Sequence, residues 1–275
     1  MSNKNITTKD YLVSNEEFEL LYDKELDMLK TYPIPENLAK YYESENYISH
    51  ADKSKSLADY LYNIVKSFTL KSKVYLINQY VKENKTLLDI GAGTGDFLLK
   101  AKQSNWLVEG VEPNEKARNS AYTKGVDVKE SLEQIHQRFN VISLWHVLEH
   151  LPNLENSIIE IKSKLADEGI LIVAVPNFKS YDAKHYKEFW AAYDTPRHLW
   201  HFSKNSIEKI FGKHSMEVIE TRPMYFDSFY VSLLSQKHKT QKNNYVKAFI
   251  TGLISNIKAI RTKEYSSMIY ILKSV

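Results

Sequence analysis

The sequence predicts an α/β protein: a doubly wound, mostly parallel seven-stranded sheet, with a helical N-terminal extension and a helical insertion before the last strand. Three observations carry this. From residue 86 onward, short apolar runs alternate with stretches of helical period, as repeated βα units require. Residues 86–97 read T-L-L-D-I-G-A-G-T-G-D-F, an apolar strand that breaks into Gly91, Gly93 and Gly95 before an apolar helix start. Residues 169–175, G-I-L-I-V-A-V, are almost unbroken apolar chain, as expected of a strand covered on both faces.

The elements follow in order. Residues 1–84 read as a mostly helical cap, broken at Tyr32-Pro33-Ile34-Pro35 and carrying an apolar stripe of Leu57, Tyr60, Leu61, Ile64, Val65 and Phe68. Residues 85–275 form the main domain. Its strands fall at 87–90, 107–111, 126–128, 139–145, 169–175, 216–221 and 267–272, with helices at 96–104, 114–124, 154–166 and 203–213. The connection 176–203 is too long for an ordinary loop. It holds Phe178, Tyr181, Tyr186, Phe189, Trp190, Tyr193 and Trp200, which suggests a lid or substrate wall; a hydrophobic cluster packed under the loop is the plainer reading. The segment 227–264 is a basic insertion. Between Asp227 and Glu264 there is no acidic residue, while Lys237, Lys239, Lys242, Lys247, Lys258, Arg261 and Lys263 all fall there. Val246, Phe249, Ile250, Leu253, Ile254, Ile257 and Ile260 recur within it at helical spacing, so it contains an amphipathic helix. The first reading is a helix packed on the domain with a solvated basic face; the second is a peripheral membrane or acidic-partner contact.

Composition excludes more than it selects. The 275 residues include no cysteine, which removes disulfides, zinc ribbons and thiol nucleophiles. No apolar run approaches a membrane span, and residues 1–10 lack the apolar core of an export signal, so the expected location is cytoplasmic. The net charge of +3 does not by itself call for nucleic acid.

The glycine spacing separates two cofactor classes. A dinucleotide fingerprint, G-x-G-x-x-G, needs glycine at position 96, where Asp96 stands. The chain instead has G-x-G-x-G after Asp89, and its second strand ends in Glu112. A carboxylate there can accept hydrogen bonds from both ribose hydroxyls. The expected ligand is a nucleoside without a pyrophosphate.

L-L-D-I-G-A-G-T-G with G-V-E-P-N downstream resembles the class I S-adenosylmethionine-dependent methyltransferases. W-H-V-L-E-H-L-P-N at 145–153 and P-R-H-L-W-H-F-S at 196–203 are similar to the branch that contains ubiquinone-biosynthesis-type O-methyltransferases. The resemblance covers roughly residues 85–225 and implies a Rossmann-like methyltransferase fold with S-adenosyl-L-methionine as cofactor. It places Gly91, Ala92, Gly93 and Gly95 under the cofactor, with Asp89 toward its ammonium. Glu112 and Pro113 fall at the ribose, Glu130 and Ser131 near the adenine, and Trp145 at the edge of the cleft. N-terminal extensions fold over the cofactor in relatives, which singles out Tyr47 and His50.

Methyl transfer to a hydroxyl needs a proton acceptor or a metal. His146, Glu149 and His150 share one face if a helical turn follows the fourth strand, and His198 and His201 lie in the connection at the same sheet edge. Three readings compete. The group braces the loop; or His146, His150 or His198 is a metal-free base; or a divalent metal binds. Ubiquinone-type and small-RNA 2′-O-methyltransferases carry a metal-binding Glu-x-x-Glu-His motif, of which Glu149 and His150 match the second half. His146 replaces the first glutamate, a competent ligand for an ion softer than magnesium, and His198 or His201 would complete the set. The preferred reading assigns no metal.

The expected function is O-methylation of a small aromatic or isoprenoid-type acceptor. The alternatives are a metal-dependent nucleic-acid 2′-O-methyltransferase, disfavoured because no RNA-binding module is visible, and a non-catalytic cofactor-binding scaffold. Oligomeric state is left open.

Overall fold

The computed structural model describes residues 5–42 and 57–275 and, within the helix beginning at Leu57, the side chains from residue 65 onward. Three strands open it: β1 (Ile6–Lys9), β2 (Glu17–Asp23) and β3 (Met28–Tyr32). The long helix α1 (Leu57–Tyr80) follows. Then come β4 (Thr86–Ile90), α2 (Asp96–Lys102), β5 (Leu107–Val111), α3 (Glu115–Thr123) and β6 (Val128–Lys129). Next are β7 (Phe139–Trp145), α4 (Leu154–Ser163) and β8 (Leu165–Pro176). The last third comprises α5 (Tyr181–Tyr186), β9 (Trp200–His201), α6 (Lys204–Gly212), β10 (Met216–Pro223), α7 (Asp227–Thr240), α8 (Tyr245–Thr262) and β11 (Ser267–Ser274).

Seven strands form the expected sheet, in the order β10-β11-β8-β7-β4-β5-β6. β6, β5, β4, β7 and β8 pair in parallel, and β11 runs antiparallel to both β8 and β10. Successive side chains point to opposite faces of a strand, which divides the core in two. Leu87, Val141 and Ile172 pack with Ile77 of α1 and Leu98 of α2 on one face. Leu88, Ile142 and Val173 pack with Ile158 of α4 and Ile207 of α6 on the other. Side-chain caps fix the helix starts: Asn114 accepts from Ala117 N–H, and Ser203 forms a reciprocal capping box with Ser206.

The N-terminal expectation is corrected. Residues 1–84 were read as helical, but β1, β2 and β3 join β9 in a second, antiparallel sheet ordered β1-β2-β3-β9. Its signal was the period-two run Glu17-Phe18-Glu19-Leu20, with both apolar side chains buried and both glutamates exposed. Lys30 of β3 pairs with Trp200, so the sheet is completed by chain from the far side of the sequence. Among the described residues the predicted helix survives, after a single 3-10 turn at Ala39–Tyr41, as α1. There Phe68, expected on the buried stripe, is exposed and meets Phe226 edge-on, while Val74 and Ile77 carry the buried face. Leu57, Tyr60, Leu61, Ile64, Tyr47 and His50 lie outside the described side chains.

The 176–203 connection is not an open lid of aromatics. Phe178, Tyr186, Trp190 and Tyr193 are buried with Leu20 and Leu29 of the second sheet in a third core cluster. The basic insertion is two helices, α7 and α8, rather than one.

Candidate active site

The site lies at the carboxyl ends of β4, β5 and β7. After Ile90 the chain turns through Gly91, Gly93 and Gly95, all in the left-handed region (φ +74°, +53° and +74°), which glycine enters at little cost. Two of the three are also sterically required. A Cβ on Gly91 would run into the Val147 side chain, and one on Gly95 would lie 2.8 Å from the Ala121 Cβ. A Cβ on Gly93 would meet nothing within 4 Å, so the space over that residue is open. Gly91 and Ala92 donate their N–H groups to Val111 O at 2.7 and 3.0 Å, which binds the turn to the end of β5.

Glu112, directly after β5, is clasped by backbone. Gly93 N–H donates to its Oε2 and Asn114 N–H to its Oε1, both at 2.9 Å. The carboxylate is therefore oriented across the glycine turn. Pro113 is exposed beside it, and Arg118 donates to the carbonyls of Glu112 and Pro113. Glu130 is exposed and pairs with Arg118 at 3.6 Å, with Ser131 half-buried next to it.

Asp89 is buried at the end of β4 and accepts a 2.6 Å hydrogen bond from Ser143 Oγ. Burial pushes its pKa up to about 6, against the lowering influence of Lys73 and Ser143. Lys73, which the sequence motifs do not single out, is half-buried beside these groups. It projects from α1 and sits 4.2 Å from the Trp145 ring centroid and 5.5 Å from that of Phe97. Desolvation brings its pKa down to about 8, opposed by Asp89 and Asp227. Its available signal was a lysine within the buried face of an apolar helix, between Leu70 and Val74. The Trp145 indole N–H is buried without a hydrogen-bond partner.

His146 follows with φ +57°. Its Nδ1 lies 3.4 Å from Glu149 Oε1 and its Nε2 lies 3.0 Å from Asp227 Oδ2. Burial disfavours its charge, but the two carboxylates outweigh that and raise its pKa to about 10. It is an imidazolium with both nitrogens engaged. This corrects its place among the candidate bases and metal ligands, since neither nitrogen has a lone pair to offer.

The residues brought together are Glu149, His150 and His198, whose ligand atoms lie within 4.8 Å of one another. Glu149 is fully buried, and neither carboxylate oxygen has a hydrogen-bond partner of adequate geometry. Burial raises its pKa, but the neighbouring His146, His198 and His150 outweigh that and hold it below the usual value. His150 Nδ1 lies 3.1 Å from Arg197 O and 3.1 Å from Tyr42 Oη, and His198 Nδ1 lies 2.9 Å from Ala192 O. A backbone carbonyl can only accept, so each Nδ1 carries a proton; the Nε2 of His198 lies 3.9 Å from Asp194 Oδ2. Burial and the neighbouring His198 drop the His150 pKa to about 4, so it is neutral at physiological pH. His201 is not part of this group: its Nε2 lies 3.0 Å from Thr31 Oγ1, inside the N-terminal sheet.

The motif around 196–201 supplies the bracing. Arg197, fully buried, donates to Asp194 at 2.7 Å, Asp10 at 2.9 Å and Tyr41 O at 3.1 Å. Leu199 N–H donates to Glu149 O at 2.8 Å. The N-terminal sheet, the long connection and the turn after β7 are thereby locked together around the cluster.

The model of a family described as a methyltransferase domain matches residues 69–221. No curated protein matches the chain in sequence. Among solved structures, magnesium protoporphyrin IX methyltransferase from Synechocystis PCC 6803 shares 16% identity over 86% of this chain and 97% of its own, with a TM-score of 0.57. A mycolic acid cyclopropane synthase shares 14% over 74% and 83%, at 0.53. Geranyl diphosphate C-methyltransferase from Streptomyces coelicolor A3(2) shares 13% over 74% and 76%, at 0.52. At these identities the likeness is one of fold.

Proposed function

The chain belongs to the methyltransferase-domain family and is an S-adenosylmethionine-dependent enzyme; from that premise we propose that it methylates a hydroxyl oxygen of a small molecule, of aromatic or isoprenoid type, beside Glu149, His150 and His198. The observation that supports this is the cluster of two imidazoles and a buried carboxylate, whose ligand atoms lie within 4.8 Å of one another. When bound, the cofactor supplies a methyl carbon made electrophilic by its sulfonium.

The chain's own residues do the rest. Gly93 leaves room for the ligand to lie against the backbone. Glu112 accepts from the ribose hydroxyls. Asp89, ionised above about pH 6, holds the ammonium together with the carbonyl ends of the turn. His150 Nε2 would take the proton of the acceptor hydroxyl as the methyl carbon passes from sulfur to that oxygen, the demethylated cofactor being the leaving group, and Glu149 would stabilise the imidazolium that results. Holding the reacting groups in line and away from water is the larger share of the catalysis.

A metal-assisted version of the same reading is favoured by one feature: the ligand atoms of Glu149, His150 and His198 lie within 4.8 Å of one another, with the His146 imidazolium 3.4 Å from the carboxylate. Glu149, His150 and His198 fit a divalent ion of the borderline class. Such an ion would ease loss of the acceptor's proton.

The test is methyl transfer from labelled cofactor to a panel of hydroxylated aromatics and prenylated phenols. His150→Ala and His198→Ala are each expected to abolish transfer while binding S-adenosylhomocysteine as the parent does. Undiminished transfer by both variants would remove the cluster from the chemistry. Calorimetric titration of the chelator-treated protein with zinc or manganese distinguishes the two versions: stoichiometric uptake lost in Glu149→Gln supports the metal, and none leaves the imidazole as base.

A further inference from the structure

Helix α8 is mounted back to front for a surface helix. Its buried side is made of small residues: Ala248, Thr251, Gly252, Ser255 and Ala259. Its large apolar side chains, Val246, Phe249, Ile250, Leu253, Ile257 and Ile260, are all exposed, from 41% to 71%. A surface helix normally turns its apolar stripe to the core. Here packing forbids that. A Cβ on Gly252 would lie 2.9 Å from Ser228 O and 3.0 Å from Phe229 Cα, so α8 approaches the α7 backbone closely through its small face. Ser255 Oγ further donates to buried Asp182 at 2.6 Å. The orientation is fixed, and the apolar face points away from the protein.

Charge accompanies the stripe. Lys247, Lys258 and Arg261 follow one flank of the helix, Lys242 and Lys263 sit at its two ends, and all five are exposed. No acidic residue occurs between Asp227 and Glu264. The positive field is felt locally: after burial, Lys239, Lys247 and Lys258 lower the pKa of His185. Aromatics extend the surface beyond α8: half-buried Phe229 stacks on exposed Phe249 at 5.2 Å, and Phe226 just before α7 and Tyr230 within it are exposed.

We propose that α8 docks the enzyme on an anionic lipid bilayer, with its outward apolar face in the acyl boundary and its flanking lysines and arginine on the headgroups. A wide apolar face beside a basic flank is what an interfacial helix requires. The uniformly basic rim selects a negatively charged surface over a second copy of the chain, whose matching rim would be equally basic.

The experiment is co-sedimentation of the full chain with phosphatidylcholine vesicles, with and without phosphatidylglycerol. Binding is expected to the anionic vesicles, to be weak on phosphatidylcholine alone, and to fall as salt rises. Phe249→Ser with Leu253→Ser and Ile257→Ser should lose essentially all of it. Lys247→Gln with Arg261→Gln should weaken binding to anionic vesicles by about fivefold per charge removed. Both variants should bind S-adenosylhomocysteine as the parent does, which verifies their fold and reports the cofactor site independently of the membrane. Failure of the parent chain to sediment with anionic vesicles overturns the proposal. So does light scattering that shows a dimer which the serine variant converts to monomer, because the face would then belong to a second copy.

Discussion

His146 Nε2 stands 3.0 Å from Asp227 Oδ2, joining the residue that follows β7 to the first turn of α7. The contact ties the catalytic edge of the sheet to the helical insertion. The His146 backbone lies in the left-handed region, where a non-glycine residue costs about 1 kcal/mol or more.

This pair makes stability depend on pH. The pKa of His146 is raised from 6.5 to about 10, so its contribution is whole below about pH 6.5 and is lost as pH rises through 10. Solvent reaches about a third of the ring, so Asp227→Asn is expected to cost only about 1–2 kcal/mol at pH 7. Chemical denaturation at pH 7 and pH 10 checks the sign: the gap between parent and variant should narrow at the higher pH. A gap that widens would show the imidazole to be neutral at pH 7.

Cofactor affinity should fall in acid. Asp89 carries a pKa raised to about 6, and only its carboxylate form can hold an ammonium. Below that value the dissociation constant of S-adenosylmethionine should climb toward about tenfold per pH unit. Calorimetry between pH 5 and 8 measures it, and Asp89→Asn should flatten the profile. A parent profile without slope would detach Asp89 from the ligand.

The glycines divide by consequence. Gly93→Ala adds a Cβ into open space; backbone strain costs about 1 kcal/mol, yet the ligand's place is taken. Unfolding should shift modestly while S-adenosylhomocysteine binding is lost. Gly95→Ala drives a Cβ against Ala121 and should mainly destabilise the fold. Unimpaired binding by Gly93→Ala would place the cofactor elsewhere.

Glu112 should carry ribose recognition. Truncation to alanine removes a charged acceptor, worth about 1.5–3 kcal/mol per hydrogen bond, so binding should weaken roughly 10- to 100-fold. Glu112→Gln keeps one acceptor oxygen and should lose less. Equal losses in the two variants would mean that the carboxylate's service is to the Gly93 N–H rather than to the ligand.

Much of this molecule is legible locally. The strand at Thr86–Ile90, the G-x-G-x-G turn and Glu112 at the end of the next strand are fixed by short-range sequence: apolar period, positive φ, and a carboxylate one turn away. The same holds for Asn114 and Ser203 as helix caps. The second sheet was legible in principle from the alternation at Glu17–Leu20, but charge masked it, and its fourth strand lies near residue 200.

What the sequence by itself determined is the parallel sheet, the cofactor turn and the set of histidines near one edge. The tertiary structure decided what each histidine faces. Asp227 closes on His146 and favours its charged form, while backbone carbonyls at 192 and 197 accept from the Nδ1 of His198 and His150. It also decided that α8 buries its small face and shows its apolar one. Both outcomes depend on contacts between residues far apart in the chain, whose electrostatics and steric fit no local pattern of side chains encodes.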